Sequence, residues 1–187
     1  MKTMNLLKRG VEMGSEELGE TIFKEDKGHF WGLIETRPFM RAKSNYAFAL
    51  RKSGNTQEAI KHYEELLELN PMDNQGVRYE LIEAYLATKS IKKAKDLLKK
   101  YPEDSTDNLY NLALIEYMEH GNTVKLKKYL KEAKKHNPFV GDYLSGKKKL
   151  PSTLPEYYGW GDENEAIVYA AKFKDVWTEE PALLKIL

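Results

Sequence analysis

Gly54-Asn55-Thr56-Gln57-Glu58-Ala59 and its echo Gly121-Asn122-Thr123 decide how this chain is read, because each is followed at the same distance by an Asn-Pro pair, Asn70-Pro71 and Asn137-Pro138. Gly121 follows Gly54, and Pro138 follows Pro71, by the same 67 residues. Gly is permissive where two helices must turn, and Pro ends a helix, so the pattern marks helix hairpins. The interval is close to two units of about 34 residues, the sign of a stacked helical repeat. Such stacks bury one continuous core and offer a surface to a partner.

Working outward from Gly54, Met40, Tyr46, Ala47 and Leu50 on one side and Ala59, Ile60, Tyr63, Leu66 and Leu67 on the other recur at helical spacing. Thr36 is the expected cap of the first helix, with Pro38 in its first turn. Ala47 and Ala59 are small where the two helices must approach. Around Gly121 the matching positions are Leu112, Ala113, Leu114 and Tyr117, then Leu126, Leu130 and Ala133. Between these lies a second hairpin with Leu81, Ile82, Tyr85, a turn near Lys89 and Ser90, then Ala94, Leu97 and Leu98. Pro102 comes early there, so its return helix is expected to be about one turn short.

The flanks read as caps. Residues 1–26 carry Leu7, Val11, Leu18 and Ile22 on one side, in helices expected to be weakened by Gly10, Gly14 and Gly19. After Pro138 a Gly-, Lys- and Pro-containing crossover leads to Gly161-Asp162-Glu163-Asn164-Glu165-Ala166, which mirrors the stretch at Gly54. Asp162 is a good N-cap, and Ile167, Ala170, Phe173 and Trp177 form one apolar face to close the stack. Leu183, Leu184, Ile186 and Leu187 then pack under this cap or serve self-association.

The spacing and the Ala, Tyr and Pro positions resemble the tetratricopeptide repeat. The fold class this implies is all-α, a right-handed superhelix (α-solenoid) of about three repeats with N- and C-terminal capping helices. The chain is expected to be one domain over 1–187, divided into cap and entry motif (1–36), repeat 1 (37–71), a shortened repeat 2 (72–105), repeat 3 (106–138), and crossover with half-repeat cap (139–187). The string Gly28-His29-Phe30-Trp31-Gly32, then Glu35-Thr36-Arg37-Pro38-Phe39-Met40-Arg41-Ala42, is more specific. With Asn70-Pro71-Met72-Asp73-Asn74-Gln75-Gly76-Val77-Arg78 and Pro155-Glu156-Tyr157-Tyr158-Gly159, it resembles small bacterial repeat proteins grouped with the suppressor of tumorigenicity 7 family. That resemblance implies no reaction.

Composition narrows the class. With 41% hydrophobic and 32% charged residues among 187, the chain suits a soluble globular protein. Zero Cys removes disulfide and thiol chemistry and suits a cytoplasmic location. The start is expected to be mature protein, and no run is long and apolar enough to span a bilayer. The net charge of +1 is uneven: residues 89–149 hold 15 Lys/Arg against 8 Asp/Glu, whereas 1–88 hold 12 against 14 and 150–187 hold 3 against 7. The middle block can steer an acidic partner.

By register with the Gly turns, a concave groove is expected to present Arg41, Ser44, Phe48, Tyr79, Glu83, Asn111, Ile115 and Met118. Apolar anchors mixed with polar groups suit a peptide or protein segment, unless the chain's own C-terminal part fills the groove. Chaperone-tail binders of this repeat hold a carboxylate with cations, but the matching positions here are Ser44, Phe48, Glu80, Asn108 and Leu112. None supplies a cation and Glu80 would repel a carboxylate, which disfavours that mode. The alternative is a regulator binding nucleic acid or an acidic protein through Lys92, Lys95, Lys99, Lys125, Lys128, Lys131 and Lys135; a solvated helix face explains the same lysines. The four His show no metal-binding spacing, and no nucleophile elbow or phosphate loop is present. His29, Glu35 and Arg37 beside Trp31 are the sole acid-base candidates, with Arg37 expected to pair with Glu35 or another carboxylate. No enzymatic activity, cofactor, metal or membrane partner is expected.

Overall fold

The computed structural model describes residues 2–187, with side chains from Thr3 onward. Among them every regular element is helical. The chain gathers into two compact units, Met1–Thr88 and Lys89–Leu187. The boundary falls in the turn expected at Lys89, whose φ of 54° is left-handed.

The first unit comprises α1 (Lys2–Glu25), a 3-10 turn (Phe30–Gly32), α2 (Arg37–Lys52), α3 (Thr56–Leu69) and α4 (Val77–Ala87). α2 and α3 form the first hairpin about Gly54, at φ 86°. Met40, Ala47, Ala59, Tyr63, Leu66 and Leu81 fill its core. Ala47 and Ala59 are fully buried, as close helix approach requires. α1 packs along α2. A Cβ at Gly14 would lie 3.4 Å from the Cβ of Phe39, and one at Gly10 would lie 4.0 Å from that of Ala42. These two glycines therefore mark where α1 comes near α2. Gly19, with φ 70° and ψ 162°, breaks the helix.

Thr36 does not cap α2. It is buried, and its hydroxyl lies against the carbonyl oxygens of Phe30 and Leu33, the latter at 2.9 Å. The Phe30 carbonyl also accepts the Leu33 N–H at 3.3 Å, and the Leu33 carbonyl takes the Thr36 hydroxyl as its donor. Nor does Arg37 pair with Glu35 in that entry motif: its Nε donates to the Trp31 carbonyl at 2.9 Å, and its guanidinium lies 5.4 Å from the Trp31 ring centre. Phe30 sits under Phe23 and Phe39, with centroid distances of 5.1 and 6.3 Å. The Gly28–Ala42 motif is thus a clasp between α1 and α2.

The second unit comprises α5 (Ile91–Lys100), α6 (Thr106–His120), α7 (Val124–His136), α8 (Val140–Leu144), α9 (Glu163–Thr178) and α10 (Pro181–Leu184). α5 has 10 residues against 14 in α3, the missing turn expected from Pro102. Ser105, Thr123 and Asp162 cap α6, α7 and α9, accepting N–H bonds of 3.3, 2.9 and 2.8 Å. α6 and α7 form the hairpin about Gly121, and α9 packs on α6 and α8. Its Ile167, Ala170, Phe173 and Trp177 are buried, as their spacing predicts. Tyr169 stacks on Phe173 at 4.8 Å and meets Tyr110 at 5.5 Å. Of the apolar tail, Leu183 is fully buried, Leu184 and Leu187 are half-buried and Ile186 is exposed.

Candidate functional site

In the first unit, α2 turns one face outward. Arg41, Asn45, Phe48 and Lys52 are exposed and Ser44 is half-buried. Intervals of three and four residues put them on one stripe. Phe48 is 46% exposed, with the Lys52 ammonium 5.3 Å from its ring centre. An aromatic side chain left open beside a cation is a ready anchor for an apolar group that carries nearby acid. α4 packs on α2, and it contributes Tyr79 and Glu83. Arg51 Nη2 donates to Glu83 Oε1 at 2.9 Å. The Tyr79 hydroxyl accepts from Arg78 Nη2 at 2.7 Å, with the guanidinium 4.3 Å from the ring centre. Asp73 in turn holds Arg78 at 2.9 Å and accepts the N–H of Val77 at 2.7 Å. Tyr79 is therefore braced from below, and both it and Glu83 are half-buried.

The predicted groove residues of the second unit have a different fate. Asn111 is fully buried and Ile115 is 2% exposed; Met118 alone of the three is half-open. Asn111 is covered because α9 lies on α6: Tyr169 donates its hydroxyl proton to Asn111 Oδ1 at 3.0 Å and accepts from Trp177 Nε1 at 2.9 Å. Burial pushes the Tyr169 hydroxyl well above its ordinary pKa.

Four of the seven lysines of the expected basic face lie beside carboxylates. Lys95 pairs with Glu119, and Lys125 meets Glu116 at 3.0 Å. Lys99 lies 3.8 Å from Asp96, and Lys128 lies 3.9 Å from Glu132. Lys92, Lys131 and Lys135 are exposed. Burial would raise the carboxyl of Glu116, but hydrogen bonds from Lys125 and Thr123 outweigh it and hold it below its usual range.

The acid-base candidates do not assemble into a site: His29 and Glu35 are exposed, while Arg37 is committed to Trp31. No group of His, Asp and Glu able to hold a metal ion occurs among the described residues. Two buried polar clusters went unread in the sequence. Lys43, 6% exposed, donates to His62 Nδ1 at 3.0 Å and pairs with Glu65; burial, then the Lys43 charge, lowers the pKa of His62. The signal was available, since Lys43 stands three residues after Met40 and so on the buried stripe. The other is Glu165, whose Oε2 accepts from Thr106 Oγ1 at 2.6 Å, Gly161 N at 2.7 Å and Asn137 Nδ2 at 3.2 Å. It ties α9 to α6 and to the end of α7.

Residues 50–115 match the tetratricopeptide repeat family model, and the consecutively packed helices agree with a helical repeat. No curated protein and no solved structure matches the chain. Repeats of this type generally act by contacting other proteins rather than by catalysis. No described helix is long and apolar enough to cross a membrane.

Proposed function

We propose that this chain is a non-enzymatic scaffold, acting in the cytoplasm, that holds a peptide or protein segment on the open face of α2 and the adjoining part of α4. The observation that carries the reading is Phe48: a phenylalanine 46% exposed in the middle of a packed repeat hairpin, flanked by Arg41 and Lys52. Phe48 is the apolar anchor. Arg41 and Lys52 meet acidic groups of the partner, Ser44 and Glu83 fix polar ones, and Tyr79 forms a braced wall. The pairing of Lys95, Lys99, Lys125 and Lys128 with carboxylates disfavours the broad basic face as a nucleic-acid surface.

Affinity capture from the native cell with wild type and with the Phe48→Ala, Tyr79→Ala double variant tests the reading. The double variant loses the captured partner while its helical circular dichroism is unchanged, because well-buried anchors contribute about 2 kcal/mol or more each. Capture by wild type changes little between about 50 and about 300 mM salt, where phosphate binding would collapse. Normal capture by the double variant refutes the site.

A further inference from the structure

We propose that a cleft between α7 and the segment after α10 binds a short acidic peptide segment bearing one aliphatic side chain. The cleft is lined by Asn122, Lys127, Leu130, Lys131, Lys134 and Ile186 and has a volume of about 310 Å³. That is room for roughly one side chain and its flanking backbone. It lies wholly within the second unit, and the inference does not rest on the α2 reading.

Two observations converge on this occupant. The first is charge. Four nearby lysines face carboxylates: Lys125 with Glu116, Lys128 with Glu132, Lys147 with Asp142 at 3.9 Å and Lys148 with Glu163 at 2.6 Å. Lys127, Lys131 and Lys134 form no ion pair with any described carboxylate, yet they stand four and three residues apart on one face of α7. Like charges so placed repel one another, and an acidic ligand relieves the repulsion. The second is the floor. Leu130, 5% exposed, and Ile186, 37% exposed, are aliphatic, so an aliphatic side chain finds apolar contact while no aromatic ring lines the cleft for a base to stack on. Lys134 donates to the Ile186 carbonyl at 3.2 Å, which holds the far wall in place. Its ammonium keeps two further protons for a ligand.

The test uses the full chain and fluorescence anisotropy with a fluorescein-labelled peptide of sequence DELED, and a DESED peptide of equal charge. Wild type binds the leucine peptide at least about tenfold more tightly, the scale of one buried aliphatic side chain. Lys127→Glu with Lys131→Glu weakens that binding by at least about tenfold. Ile186→Ser removes the preference for leucine but leaves DESED binding unchanged. Lys92→Glu, on an exposed lysine of α5 outside the cleft, changes affinity by less than about twofold. Circular dichroism melts confirm that each variant is folded; if a reversal variant is not, the Gln versions replace it. Equal affinity for the two peptides overturns the proposal, as does an equal loss from the Lys92 reversal or complete displacement of the peptide by an equimolar oligothymidine.

Discussion

Gly54 and Gly161 occupy equivalent places before a return helix, and both have positive φ, 86° and 72°. Their surroundings differ. A Cβ at Gly54 meets nothing within 4 Å, whereas one at Gly161 would lie 2.5 Å from the backbone oxygen of His136. Gly54→Ala is therefore expected to cost about 1 kcal/mol, for the backbone conformation alone. Gly161→Ala adds a clash with main chain and is expected to cost at least about 3 kcal/mol. Urea unfolding measures both, and equal losses would show that the 136–161 approach relaxes freely. Glu165→Ala leaves Thr106, Asn137 and Gly161 donors without their acceptor and is expected to destabilise by about 3 kcal/mol, while Glu165→Gln, which keeps one acceptor oxygen, loses less. A loss under about 0.5 kcal/mol for the alanine variant contradicts the role assigned to this carboxylate.

At the level of elements, α1 and α9 make opposite predictions. Gly10 has room for a methyl group, at 4.0 Å from Ala42, so Gly10→Ala should stabilise by about 0.5 to 1 kcal/mol through helix propensity. Gly14→Leu should instead push α1 off Phe39 and lower the melting temperature. Deleting residues 160–187 removes α9 and exposes Tyr110 and Leu114, both fully buried, and a truncated chain that stays monomeric with an unchanged melt would refute the cap. The hairpins were legible in the sequence because a left-handed Gly, a helix-ending Pro and 3.6-residue apolar spacing are all local signals. What escaped was set by distant chain: Thr36 has the composition of a cap, but the carbonyls of Phe30 and Leu33 claim its hydroxyl. Asn111 and Ile115 sat in register for an open face until α9 and the unit's packing enclosed them. The division of the lysines into paired and unpaired sets likewise depends on which helix meets α7, which spacing along one helix does not encode.

For the molecule as a whole, acid is the discriminating stress. Glu116 titrates below its ordinary value of 4.5 because Lys125 and Thr123 outweigh its burial. Glu163 is lowered by Lys148 and Tyr143, and Asp162 by the N–H groups of Glu165 and Gly159. In the unfolded chain these groups regain values near 4.5 and 3.8, so below them the unfolded state binds more protons. Their stabilisation is complete above the ordinary values and is lost as pH falls through the depressed ones. His62, lowered from 6.5 by burial and Lys43, has the same sign and begins to act as pH falls below 6.5. The urea midpoint should thus be flat between about pH 7.5 and about pH 9, decline gently below about pH 6.5 and steeply below about pH 4.5. Glu116→Gln should shallow the acid limb, and a midpoint that rises on acidification contradicts the assignment. All three carboxylates belong to the second unit, and so does Glu165, whose burial has a consequence for how that unit is assembled. A helix with an apolar face can dock one turn out of place and still hide its oil. Here such a slip would leave a carboxyl group sealed away from every donor, at a cost of several kcal/mol, so hydrogen bonding acts as the proofreader that shape alone would not supply.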